Sequence, residues 1–158
     1  MTEFYTSEIQ ELARASEWRK PGAVTLVGLE GPLGAGKTTF TRELLRSLGL
    51  PGTETVQSPT FLKLIAYDLS SFGRVCHLDA YRTAEPHEWD RVGLETYADA
   101  RLWLVEWPET FFAFLRFNPA LRALLGLKNA RVVEWTMNGD ATRTIGNRIL
   151  DLSVDALQ

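Results

Sequence analysis

The residues best placed to do chemistry lie in one stretch, Gly31-Pro32-Leu33-Gly34-Ala35-Gly36-Lys37-Thr38-Thr39. Its spacing is G-x-x-x-x-G-K-S/T, the pattern of a phosphate-binding loop. Gly31, Gly34 and Gly36 let the chain curl so that successive N–H groups converge on the α- and β-phosphates of a nucleotide. Leu33, Ala35 and Thr39 contribute main chain to the same curl. The ammonium of Lys37 reaches the β- and γ-phosphates, and the Thr38 hydroxyl is placed to bind Mg²⁺. The plain alternative is a glycine-rich turn with a surface lysine. Context argues against it, because the apolar run Val24 to Leu29 precedes the motif and a helix-like stretch from Phe40 to Leu48 follows. That order puts the anion at a helix N-terminus, where unpaired N–H groups and the positive end of the dipole face it.

Two carboxylates could complete such a site. Asp79 ends an apolar stretch and fits the position that binds Mg²⁺ through water or orients an attacking water. Glu106 ends the nearly all-apolar run Leu102-Trp103-Leu104-Val105, and the carboxyl end of a buried parallel strand borders the ligand crevice. Each acid could instead cap a helix or meet a lysine, and sequence does not decide which would touch the cation directly. Thr60, with Ser58 beside it, lies between the first helix of the loop unit and the next strand, where switch segments sense a γ-phosphate. A rigid turn around Pro59 is the other reading. Trp107 could stack on a base or a partner, or belong to the core. Tyr81 and Arg82 could meet phosphate or a partner, with a structural ion pair as the alternative for Arg82. His77 reads as a buried, satisfied histidine, His87 as exposed, and Cys76 as a packed thiol.

The elements that must hold these residues follow from periodicity. Thr6 or Ser7 caps a helix reaching about Trp18, which Pro21-Gly22 ends. The first strand, the loop and a helix stopped by Gly49 come next. Leu62 to Leu69 and Arg74 to Leu78 read as strands joined by a turn at residues 70–73. Glu85 to Arg91 is a short helix, and Leu102 to Val105 a buried strand. Residues 109–128 are apolar and helix-prone, broken by Pro119, and the tail forms antiparallel strands about Asn138-Gly139. The fold class expected is α/β: a P-loop NTPase-like three-layer sandwich with a mixed, mainly parallel central sheet and antiparallel strands at the C-terminal edge.

Composition sets the bounds. The 158 residues fit a single domain, 1–158, with a core that needs no disulfide. One cysteine makes neither a disulfide nor a metal set. No apolar run is long enough to cross a membrane, and the first residues carry acids rather than an apolar signal core, so a cytoplasmic protein is expected. A net charge of -3 with scattered basic residues lacks the stripe of a protein that grips nucleic acid by itself. RNA would be held by a partner, and no obligate homo-oligomer is predicted.

The phosphate loop, Ser58-Pro59-Thr60-Phe61, His77-Leu78-Asp79-Ala80-Tyr81-Arg82 and Glu106-Trp107-Pro108, in that order and spacing, resemble the TsaE family. Gly93-Leu94-Glu95 and Tyr97 add to the match, which runs from the first helix to about Glu109; the aromatic segment beyond departs from the family pattern. The resemblance implies a small bacterial ATPase that binds ATP, ADP and Mg²⁺ and assists synthesis of the tRNA base threonylcarbamoyladenosine. Its partners would be the transferase subunits TsaD and TsaB, reset between turnovers, with tRNA engaged only through them. It favours Glu106 as a direct Mg²⁺ ligand beside Thr38, and Lys37, Asp79, Glu106 and Thr60 as the residues of hydrolysis. Hydrolysis would be slow alone, since no in-cis arginine finger is evident. Two rivals remain: a P-loop small-molecule kinase, for which Arg116, Arg122 and Lys128 are too sparse to make an arginine-rich lid, and a regulatory protein that binds nucleotide without cleaving it.

Overall fold

The computed structural model describes residues 2–57, 59, 63–140 and 143–153. Among these residues six strands form one sheet in the order β2-β3-β4-β1-β5-β6. They are β1 (Thr25–Glu30), β2 (Leu64–Leu69), β3 (Gly73–Asp79), β4 (Leu102–Glu106), β5 (Asn129–Met137) and β6 (Arg143–Asp151). The inner pairs β3/β4, β4/β1 and β1/β5 are parallel, and the two edge pairs, β2/β3 and β5/β6, are antiparallel hairpins. Among the described residues there are four α-helices: α1 (Thr2–Arg14), α2 (Lys37–Ser47), α3 (Glu109–Arg116) and α4 (Pro119–Leu125). The expected α/β sandwich is therefore present, with an antiparallel hairpin at both edges of the sheet rather than at the C-terminal edge alone.

The middles of the inner strands β1 and β4 are apolar and buried because both faces of the sheet are covered there. Alternation sorts their side chains. Val27 and Leu29 of β1, Leu102 and Leu104 of β4, and Val133 and Trp135 of β5 join a core with Leu12, Phe40, Leu44 and Leu45 of the first two helices. Leu26, Trp103, Val105, Ala130 and Val132 face the opposite way and pack with Phe111, Phe112, Leu115 and Trp89. All five residues of β4 are buried, so Glu106 is carried into the interior on an apolar strand.

Helix boundaries differ in part from expectation. The first helix is already formed at Ser7, so neither Thr6 nor Ser7 begins it. It ends at Arg14, where Ala15 turns to extended backbone, and Trp18 reaches the core from a separate 3-10 turn over Ser16–Trp18. The break at Pro119 is as expected: proline takes the first position of α4, where its missing N–H costs nothing, and Gly126 closes that helix in the left-handed region. The expected short helix is a 3-10 helix, Pro86–Arg91, whose N-cap Glu85 forms a reciprocal capping box with Glu88. No helix among the described residues is long and apolar enough to cross a membrane.

Candidate functional site

β1 and α2 place the glycine-rich loop at the carboxyl end of the sheet. Gly34 and Gly36 have φ of 76° and 112°, left-handed conformations that side-chain-bearing residues rarely hold, and Gly36 is the N-cap of α2. The helix therefore begins at Lys37, and the N–H groups of its first turn, which lack intrahelical acceptors, open toward the concavity. A cavity of about 290 Å³ lies there, lined by residues 33–39 together with Asp79, Tyr81, Glu106 and Trp107. Every residue expected to bind phosphate except Gly31 lines it, and Gly31 borders it through Lys37.

Lys37 is 5% exposed. Its Nζ donates to the carbonyls of Gly31 at 2.5 Å and Pro32 at 2.9 Å, and sits 4.2 Å from the centre of the Trp107 ring. Burial holds its pKa below that of a free lysine, and the charges of Glu106 and Asp79 partly offset that. The ammonium is thus collected at the mouth of the loop by carbonyl dipoles and an aromatic face, both weaker partners than phosphate oxygens.

Asp79 and Glu106 are register partners on the adjacent parallel strands β3 and β4. Both are buried. The Thr38 hydroxyl donates to Glu106, 3.1 Å from Oε1 and 3.4 Å from Oε2. His77 Nε2 lies 2.7 Å from Glu106 Oε2. Asp79 is oriented differently, with Oδ1 accepting the Tyr81 N–H at 2.9 Å, while its own N–H donates to Lys63 O at 3.1 Å. A hydroxyl and two carboxylates are hard oxygen donors, the set that suits Mg²⁺, which keeps several waters and takes phosphate oxygens as further ligands. No cluster of three or more His, Cys, Asp or Glu able to hold a metal by itself occurs among the described residues.

The strand ends are shaped for this arrangement. Ala80 N donates to Glu106 O, and Trp107 N to Leu29 O, so the chain leaving β4 is clamped to both neighbouring strands. Trp107 adopts φ of 57° immediately before a proline. Left-handed backbone costs a residue with a Cβ about 1–2 kcal/mol. The conformation sends its half-buried ring over Lys37 and against Tyr81, whose ring centre is 5.0 Å away. Tyr81 and Leu33 are exposed on the rim.

Of the remaining expected residues, Arg82 and His87 are exposed and Cys76 is buried, its thiol pushed up to about 12 chiefly by desolvation. Ser58, Thr60 and Phe61 lie outside the described residues. Sequence reasoning missed the contact between His77 and Glu106. The signal was available: His77 is two residues before Asp79 on one strand and so projects from the same face toward the neighbouring strand.

The fold and the loop define the class as a P-loop NTPase-like protein. A structural comparison agrees: a crystal structure of YdiB from Bacillus subtilis superposes with a TM-score of 0.57 at 25% identity, covering 92% of this chain and 80% of that one. The sequence profile of the family described as "Threonylcarbamoyl adenosine biosynthesis protein TsaE" matches residues 5–133, and the chain belongs to that family. The match extends past Glu109, where the resemblance had been expected to end, through α3, α4 and most of β5. Proteins named "tRNA threonylcarbamoyladenosine biosynthesis protein TsaE" are similar at sequence level. The one from Haemophilus influenzae is 39% identical over 85 residues, 53% of this chain and 52% of its own length. That from Bacillus subtilis is 40% identical over 103 residues, 65% of this chain and 60% of its own. The matched stretch thus spans little more than half the length of these relatives.

Proposed function

We propose that this chain binds ATP with Mg²⁺ in the loop and hydrolyses it to support formation of threonylcarbamoyladenosine in tRNA. It acts on a transferase built from TsaD and TsaB, resetting that complex between turnovers, and meets tRNA only through those partners. The observation that carries the reading is the Thr38–Glu106 contact beside the folded-back Lys37, which gathers a hydroxyl, a carboxylate and an ammonium around one loop of amides. Family membership supplies the tRNA context.

In this reading the amides of residues 33–39 hold the α- and β-phosphates, and Lys37 exchanges the carbonyls of Gly31 and Pro32 for β- and γ-oxygens. Thr38 and Glu106 hold the magnesium ion, with Asp79 beside them; the ion would neutralise charge on the phosphate oxygens. Asp79 orients the attacking water, and Thr60 is assigned to sensing the γ-phosphate. Positioning and charge neutralisation suffice, so no residue forms a covalent intermediate. Trp107 shields the ammonium from solvent, which strengthens its electrostatic interactions.

Phosphate release measured with and without purified TsaD and TsaB tests the proposal. Slow release alone and faster release with the pair is expected, together with a difference in co-purification between ATP and ADP. An unaccelerated enzyme that ignores both partners removes the tRNA role. Transfer of phosphate to a small acceptor would identify a kinase, and tight ATP binding without any release would identify a passive regulator.

A further inference from the structure

His77 is the unassigned group closest to the chemistry. It lies on β3, its side chain fully buried, and its Nε2 is 2.7 Å from Glu106 Oε2 on β4. Its other nitrogen, Nδ1, is buried without a partner among the described residues. A histidine kept only for packing is expected to have both nitrogens satisfied, because an unmet buried polar atom is costly. Here the single hydrogen bond is spent on one oxygen of one carboxylate. That oxygen is also the one farther from Thr38: the hydroxyl is 3.1 Å from Oε1 and 3.4 Å from Oε2.

From this asymmetry we infer that His77 is a positioning residue: its Nε2–H holds Glu106 Oε2 so that Oε1 is presented to Thr38 and to the cation site between them. The inference rests on the reading of Glu106 as a metal-facing carboxylate. The physical need is plain. A glutamate has three side-chain torsions, and a buried carboxylate at a strand end would otherwise turn toward whichever donor is nearest, Lys37 included. The imidazole is held within the sheet by a backbone register that pairs His77 with Leu104 and Asp79 with Glu106. A donor so mounted fixes one oxygen and thereby aims the other, as outer partners of metal ligands do. Asp79 needs no such group, since the Tyr81 backbone N–H fixes its Oδ1.

Two measurements on the full chain test this. Long-range ¹H–¹⁵N NMR of the wild-type protein should show a proton on His77 Nε2; a ring protonated on Nδ1 alone overturns the inference without any mutation. Mn²⁺ binding in the presence of ADP, followed by electron paramagnetic resonance, supplies the second readout. Replacing His77→Gln keeps an amide nitrogen the same number of bonds from the backbone as Nε2 and should bind Mn²⁺ within a fewfold of wild type. Replacing His77→Asn leaves that nitrogen one atom short, and His77→Leu removes it, and each should weaken Mn²⁺ binding by about tenfold or more. Metal-free ADP affinity should be unchanged in all three. If the leucine variant fails to fold, the Gln and Asn pair decides. Equal Mn²⁺ affinity in that pair, or a parallel fall in metal-free ADP affinity, overturns the positioning role. Failure of the wild-type protein with ADP to bind Mn²⁺ at all would instead remove the reading of Glu106 on which the inference stands.

Discussion

The ends of β3 and β4 carry one acid each, side by side in register, and the two are held in opposite ways. Asp79 is fixed locally, by the backbone of Tyr81 two residues on, and its N–H is tied to Lys63. Glu106 is fixed from a distance, by a hydroxyl on α2 and an imidazole on β3. The bond from Tyr81 N–H to Asp79 does not involve the phosphate loop. An acid held by the loop's own helix moves with it, and so is the one able to register whether the loop is engaged.

The largest effects should come from breaking that contrast. Glu106→Gln keeps the shape but removes the charge facing Thr38, and should lower ATP turnover by about a hundredfold or more, the scale on which a preorganised charged contact is lost. It should also abolish the increase in ADP affinity that the proposed Mg²⁺ site would give. Asp79→Asn should lower turnover comparably yet keep that increase, because an amide oxygen still accepts from Tyr81 N–H and the Thr38–Glu106 contact is untouched. Titrating ADP calorimetrically with and without Mg²⁺ separates them; identical behaviour of the two variants would erase the distinction drawn between the strand ends.

Next in size is a packing change beneath the same turn. A Cβ at Gly28 of β1 would come within 2.5 Å of Phe112 Cζ and 3.1 Å of Pro108 Cγ, both in the segment that follows Glu106. Gly28→Ala forces the start of α3 outward and should destabilise the fold by about 1–3 kcal/mol, as overpacking does. Thermal unfolding measures the loss. The comparison sharpens if Mg²⁺-dependent ADP binding falls in this variant too, since displacement would reach Glu106 before Asp79.

How far all this was legible in the sequence depends on whether a feature is local or paired. The loop, α2 and the buried run Leu102 to Val105 could be read because spacing and apolar continuity are properties of one segment. The proline break before α4 and the hairpin after Met137 are local too. The partners of Glu106 were legible only in part: the resemblance set Thr38 beside it, and His77 shares a strand face with Asp79, but the contacts themselves join residues 68 and 29 positions apart and depend on how α2 and β3 pack around β4. Likewise the left-handed backbone of Trp107 has no sequence signal. Proline at the next position argues for extended backbone there, and the clamp of Trp107 N onto Leu29 O accompanies the departure.

A smaller effect belongs to that ring. Trp107→Leu removes the aromatic face over Lys37 while keeping apolar bulk, and cation–π contacts of this kind are worth about 0.5–2 kcal/mol. ADP affinity should fall by about two- to thirtyfold, with the Mg²⁺ increment intact, because the ring lies over Lys37 and against Tyr81 rather than between Thr38 and Glu106, which bond each other directly. Loss of the Mg²⁺ increment would mean that the turn after β4, rather than Thr38 and His77, sets the acid.

The weakest lever is pH acting on Lys37. Burial lowers its pKa in the nucleotide-free protein, whereas bound phosphates favour the charged ammonium and raise it again. Between those two values binding takes up a proton, so ADP affinity should fall as pH rises, by at most about tenfold per pH unit, and be flat below the window. Stability of the nucleotide-free protein must move the other way. In the unfolded chain this lysine keeps its proton up to its ordinary pKa, so between the lowered folded value and that one the unfolded state binds more protons. Stability then rises with pH, and the contribution is lost as pH falls through the folded value. Other alkaline groups titrate there too, so the quantity to measure is the difference between wild type and Lys37→Met in both ADP affinity and unfolding free energy. Opposite slopes tie the lysine to phosphate; parallel slopes would mean that Gly31 and Pro32, not a ligand, are its lasting partners.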